Sequence, residues 1–165
     1  MKVFTWHIHG SYLFYLSQGN YEIYIPVKEE KTEGYYGRGE TFLFNDNVIE
    51  VPAEQVRYHQ FDCILFQTNQ NYLVDQFEIL SEEQRQLPKI YLEHDPPCQH
   101  PTNTKHLIDD PAVILVHVTH FNNLMWNNNS TPTKVIEHGI TDPGTIYTGE
   151  LNKGLVVINN LPERG

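Results

Sequence analysis

The sequence predicts an α/β domain built on a mostly parallel sheet, and three observations predict it. Short apolar runs rich in Val, Ile and aromatic residues recur along the chain. Segments with helical signals separate them. Several runs are continuously apolar instead of alternating, as strands covered on both faces must be.

The strands are expected at Val3–Ile8, Tyr21–Val27, Phe61–Gln67, Lys89–Glu93, Val113–Thr119, Lys134–Glu137 and Leu155–Asn159. Helices are expected at Ser11–Gln18, where Ser11 is a candidate cap, at Ala53–His59 after Pro52, at Gln70–Gln86, and at Phe121–Asn127. Two long loops, Lys28–Thr41 and Pro96–Pro111, are punctuated by Gly or Pro, and loops of that length are more often functional than decorative. No internal repeat is present in the sequence.

Length and charge narrow the function classes. A chain of 165 residues is one domain, or one domain with a fragment attached. Its net charge of -10, with eleven basic residues, argues against a general nucleic-acid or anionic-membrane binder, because both need clustered Lys and Arg. No apolar run reaches the ~20 residues needed to cross a bilayer, although peripheral membrane contact stays open. The amino terminus turns polar too early for a signal peptide, and Cys63 and Cys98 suggest no disulfide framework, so a cytoplasmic location is expected. Cys63, within FDCILF, reads as a buried small apolar residue.

In parallel sheets ligands bind beyond the carboxyl ends of the strands. The expected strand ends carry His7, His9 and Gly10; Thr68 and Asn69; His94 and Asp95; Thr119 and His120; and Glu137, His138 and Gly139. A strand alternates its side chains, so His7 and His9 are expected on one face. With Gly10 and Ser11 they suit a sugar- or phosphate-facing turn, a metal site of the H-x-H kind, or simple local hydrogen bonding. His94 suits hydrogen bonding or proton transfer, with Asp95 orienting it or binding a hydroxyl. His100 and His106 lack metal-ligand spacing and read as surface residues of a polar loop. The run GYYGRG offers Tyr36 for stacking on a sugar ring and Arg38 for forking onto a phosphate; alternatively it is a surface loop with its tyrosines packed on the sheet.

Taken in order, TWHIHGSYLFYLSQ, GYYGRG, FDCILFQT, YLEHDPP, CQHPTNTKH, HVTHFNNLMW and TPTKVIEHGI resemble the amino-terminal half of bacterial retaining GT-B glycosyltransferases, of the glycosyltransferase family 4-like kind. The resemblance spans roughly the chain to Ile140, with His138 standing where the family usually has Asn. It implies a Rossmann-like, three-layer domain over residues 1–143, one half of a GT-B fold, with 144–165 as linker and start of a truncated carboxyl-terminal domain. It further implies the acceptor side of an enzyme that moves a sugar from a nucleotide-sugar donor to a carbohydrate or other glycosyl acceptor, with no metal and no separate cofactor. The donor would be held mainly by the other domain, so the chain alone would be inactive and prone to self-association at an unpaired edge. Gly10 takes the first-loop role and His94 that of the mid-domain histidine. By the same reading Asp95 joins His94 in catalysis, and His9, Ser11, Tyr36, Arg38, His120, Glu137 and His138 join Gly10 in binding substrate. Two other functions fit the residues alone: a metal-dependent hydrolase using H-x-H, for which the chain is short, and a non-catalytic module that binds carbohydrate or a partner protein.

Overall fold

The computed structural model describes residues 1–98, 100 and 102–155. Its centre is a seven-stranded sheet: β1 (Lys2–Thr5), β2 (Glu22–Val27), β3 (Val48–Pro52), β4 (Cys63–Phe66), β5 (Lys89–Glu93), β6 (Val113–His117) and β7 (Thr133–Val135). The strands lie in the order β3-β2-β1-β4-β5-β6-β7 and every pairing is parallel. This is an α/β, Rossmann-like fold of three layers. The direction of winding reverses between β1 and β4. Gln67, leaving β4, ties that junction by donating to Thr5 Oγ1 (3.2 Å) and to the Trp6 carbonyl (3.1 Å).

Continuous apolarity in the strands reflects burial on both faces. One face of β1, β4, β5 and β6 presents Phe4, Ile64, Phe66, Tyr91, Val113 and Leu115, packed with Val56 and Ile79 from the connections before β4 and β5. The opposite face presents Val3, Cys63, Leu65, Leu92 and Val116, against Tyr12, Leu16 and Tyr21. Those residues belong to or follow the helix α1 (Gly10–Leu16). Toward β3, Leu13, Ile23, Ile25 and Val48 close a third cluster with Phe42 and Phe44 of the β2–β3 connection.

Local chemistry moved several element boundaries. β1 ends at Thr5, not Ile8, because the chain beyond it joins the glycine-containing loop: His7 bridges Gly34, and Tyr36 bridges Val27. β3 is absent from the sequence-based strand set. It is a five-residue edge strand interrupted by Glu50 and closed by Pro52, which weakens its periodicity. Ala53–Tyr58 is a 3-10 helix. The span Gln70–Gln86 is not one helix. It comprises a π turn (Asn71–Asp75), the short α2 (Gln76–Ile79) and a 3-10 turn (Gln84–Gln86), with the break where Leu80 takes up extended backbone. Ser11 does not cap α1; the cap position is His9, and no side chain bonds there. By contrast α3 (His120–Met125) is capped, with Thr119 Oγ1 accepting from the Asn122 amide at 3.0 Å. Residues 136–155 carry no helix or strand and are exposed. The expected strand Leu155–Asn159 falls, after Leu155, outside the described residues. No helix among the described residues is long and apolar enough to cross a membrane.

The GYYGRG loop is a structural brace. Gly37 sits at φ +70, its carbonyl bonds the His7 imidazole, and the next amide donates to Glu50 of β3. A Cβ on Gly37 would also stand 2.7 Å from Val27 Cγ1. Gly37→Ala is therefore expected to cost about 1–3 kcal/mol through a strained backbone and this collision. A urea-unfolding midpoint equal to wild type would show that the brace contributes nothing.

Candidate functional site

The parallel sheet sends every strand end to the same side, and three of those ends meet. His9 follows β1, His94 follows β5 and His138 follows β7. The His9 and His94 ring centroids are 4.5 Å apart at 71°, and His94 and His138 stack at 5.6 Å with planes 20° apart. Tyr12, on the first turn of α1, packs edge-on against both His94 (5.1 Å) and His138 (5.3 Å). Around this cluster lies a cleft of about 830 Å³, walled by α1, the β5 exit and the segment after β7. Its lining includes Ser11, Tyr15, Tyr21, Asp95, Glu137 and Thr141. Its lining mixes aromatic and polar side chains.

His94 is the most constrained of these residues. Its side chain continues the face of Ile90 and Leu92, toward α1. Asn122 of α3 and Trp126, the residue that follows its end, hold the backbone there: Asn122 Nδ2 donates to the His94 carbonyl (2.9 Å) and Trp126 Nε1 to the Asp95 carbonyl (2.8 Å). The Asp95 amide donates to Glu93 Oε1 (2.9 Å). Glu93 is fixed from below, since its Oε2 lies 3.1 Å from Nε2 of the buried His106. His106 Nδ1 accepts from the Ile108 amide at 3.0 Å, which places the imidazole proton on Nε2, facing the carboxylate.

Burial, reinforced by the neighbouring imidazoles of His9 and His138, pushes the His94 pKa down to about 4, against a smaller opposite pull from Glu93. His94 is therefore neutral at neutral pH. Its Nε2 is buried and has no hydrogen-bond partner among the described residues. Burial also raises the Tyr12 phenol to about 12, so it remains a donor. His117, wholly buried beneath the β6 end, has its pKa lowered by burial first of all, and its Nε2 bonds Asn128 Oδ1 at 2.8 Å.

The structure gathers six of the expected site residues, His9, Ser11, His94, Asp95, Glu137 and His138, at the cleft. It separates four others. Gly10 opens α1, and a Cβ there would stand 2.8 Å from the Phe42 ring; its smallness serves packing against Phe42 and His7. Tyr36 lines a different hollow, with Val27, Lys28 and Glu54. Arg38 lies outside the cleft lining, and its guanidinium donates to the Phe44 carbonyl. His120 is exposed on α3 and lies outside the cleft lining. His7 parts from His9 because β1 has already ended, and it packs edge-on against Phe44 at 5.6 Å. His106 is not a surface histidine but a buried one. Among the described residues, no group of three or more His, Cys, Asp or Glu is placed to hold a metal ion.

Sequence reasoning missed Tyr12, Tyr15 and Tyr21, which give the cleft its aromatic wall, and the Asn122–Trp126 clamp. Spacing offered a signal for both: Tyr12, Tyr15 and Leu16 share a helix face at i, i+3 and i+4, and Asn122 and Trp126 stand at i, i+4. Comparison of the chain with protein-family models, curated proteins and solved structures gives no match.

Two measurements check this electrostatic picture. Between about pH 4 and the ordinary imidazole value of about 6.5, the unfolded chain binds a proton at His94 that the folded chain refuses. The His94 contribution therefore makes stability rise with pH across that window, and His94→Asn is expected to flatten it in denaturant titrations at stepped pH. Trp126→Phe, which removes the indole donor and part of the ring packed against His106, is expected to cost about 1–3 kcal/mol. It is also expected to raise the His94 midpoint seen by NMR, because a loosened β5 exit readmits water to the ring. An unchanged midpoint would remove Trp126 from the clamp.

Proposed function

We propose that this chain is the acceptor-side domain of a glycosyltransferase that takes a sugar from a nucleotide-sugar donor, with the cleft of His9, Tyr12, His94 and His138 holding the acceptor. The convergence of those four rings at the carboxyl edge of an all-parallel sheet carries the reading. Flat aromatic and imidazole surfaces pack on the C–H faces of sugars, while ring nitrogens and phenols bond their hydroxyls. Order along the chain supports it as well: the segments that resemble the family supply β1 and α1, the glycine loop, β4, the β5 exit, α3 and the turn after β7.

In this reading His94 acts as a neutral hydrogen-bonding group aimed at a hydroxyl, not as a store of charge. With a pKa of about 4 it is a weak base, and its use is to orient the reacting sugar. Asp95 stands at the mouth and its backbone is fixed by Glu93 and Trp126. His138, in a segment of its own, closes over His94 and shapes the opening. A second domain supplies the donor site, no metal or separate cofactor takes part, and the protein works in the cytoplasm, in keeping with its two free thiols.

The test is NMR titration of the histidine and tyrosine ring resonances with mono- and disaccharides. Saturable shifts at His94, His138 and Tyr12 are expected. His94→Ala should weaken binding about tenfold, the worth of roughly one hydrogen bond in a partly desolvated site, while the melting temperature reports an intact fold. Shifts confined to other parts of the molecule, or wild-type affinity in His94→Ala, would refute the assignment.

A further inference from the structure

Tyr12, Tyr15, Tyr21 and His94 line the cleft partly buried, whereas His9, Ser11, His138 and Thr141 are exposed. The two carboxylates among its lining residues, Asp95 and Glu137, are both exposed and stand at the mouth, one on the β5 exit and one on the segment after β7. Among the described residues, no Lys or Arg lines the cleft. Arg38 is spent on the Phe44 carbonyl, and Lys28 sits 3.8 Å over the Tyr35 ring and 3.7 Å from Glu78. The chain as a whole carries -10, so the long-range field at the mouth has the same sign as the rim.

We infer that the cleft selects an uncharged saccharide, and that Asp95 and Glu137 act as a charge filter against phosphorylated and uronic-acid sugars. The inference rests on the sugar-acceptor reading and adds the ligand's charge class to it. Stacking surfaces and hydroxyl partners in the lining recognise a neutral sugar as well as an anionic one, so they alone do not discriminate. Discrimination comes from placing two like charges where an anionic substituent must pass or rest. Specificity of this kind is built by repulsion as much as by attraction.

The experiment titrates the full chain with maltose, cellobiose and mannobiose, then with glucose, glucose 6-phosphate and glucuronate, following the His94, His138 and Tyr12 resonances. Low ionic strength keeps the rim charges unscreened. At least one neutral saccharide is expected to saturate the shifts, and the anionic sugars to bind about tenfold or more weakly than glucose, or not at all. In the double variant Asp95→Asn, Glu137→Gln, the ratio of neutral to anionic affinity should collapse toward unity, whatever happens to the absolute values. Added salt should narrow the ratio in wild type. Anionic sugars binding as tightly as neutral ones would overturn the charge filter and leave the sugar site standing. A ratio that survives in the double variant would take the filter away from these two residues. Silence of all three resonances toward every saccharide would remove the sugar-site reading itself, and this inference with it.

Discussion

The peptide units just beyond β5 are fixed from three directions, and the site depends on that constraint. Glu93 reaches forward to the Asp95 amide, while Asn122 and Trp126 reach across from α3 and its end to the carbonyls of His94 and Asp95. Glu93 can do this because His106, buried below, pairs with its other oxygen. A carboxylate partly withdrawn from water is tolerable only with such partners. The chain thus places a buried imidazole under the strand end so that the next two residues have one position to occupy. His94 inherits that position, and the cleft is arranged around it.

Topology supplies the rest. Parallel strands deliver all their carboxyl ends to one edge, so residues 9, 94 and 138, distant in sequence, become neighbours without a dedicated scaffold. The reversal of winding between β1 and β4 separates the connections there and opens a crevice. The β1 end is held by Gln67 from β4 and by the glycine loop through His7, so its trajectory into α1 is set on both sides. His9 and Tyr12 then lean toward β5, while His7 is taken up by packing against Phe44.

Much of the fold was legible because burial on both faces writes itself as unbroken apolar runs, as in FDCILF and AVILVHV. The edge strand β3 was not, since Glu50 and Pro52 dilute its pattern. Within the site, the strand-end rule found His9, His94 and His138 correctly as neighbours. It failed for His120, which lies outside the cleft lining. The composition of GYYGRG misled for Tyr36 and Arg38, because that loop spends its polar groups on His7, Glu50 and Phe44. Composition cannot distinguish a loop that binds from one that braces. His106 escaped for a related reason: its sequence neighbours are polar, but its ring packs against Trp126 and pairs with Glu93. Its burial is set by contacts more than ten residues away.

The histidine cluster also limits the kind of chemistry available. Burial, reinforced by the imidazoles of His9 and His138, holds His94 uncharged at neutral pH. It therefore faces the cleft as a neutral ring. An unpaired buried nitrogen such as His94 Nε2 costs about 1–3 kcal/mol relative to a bonded one, and it has no partner among the described residues. A hydroxyl reaches that nitrogen only if one of the rings around it moves aside. In the proposed acceptor role His94 therefore contributes as a neutral, enclosed ring that shapes the cleft, and not as a base.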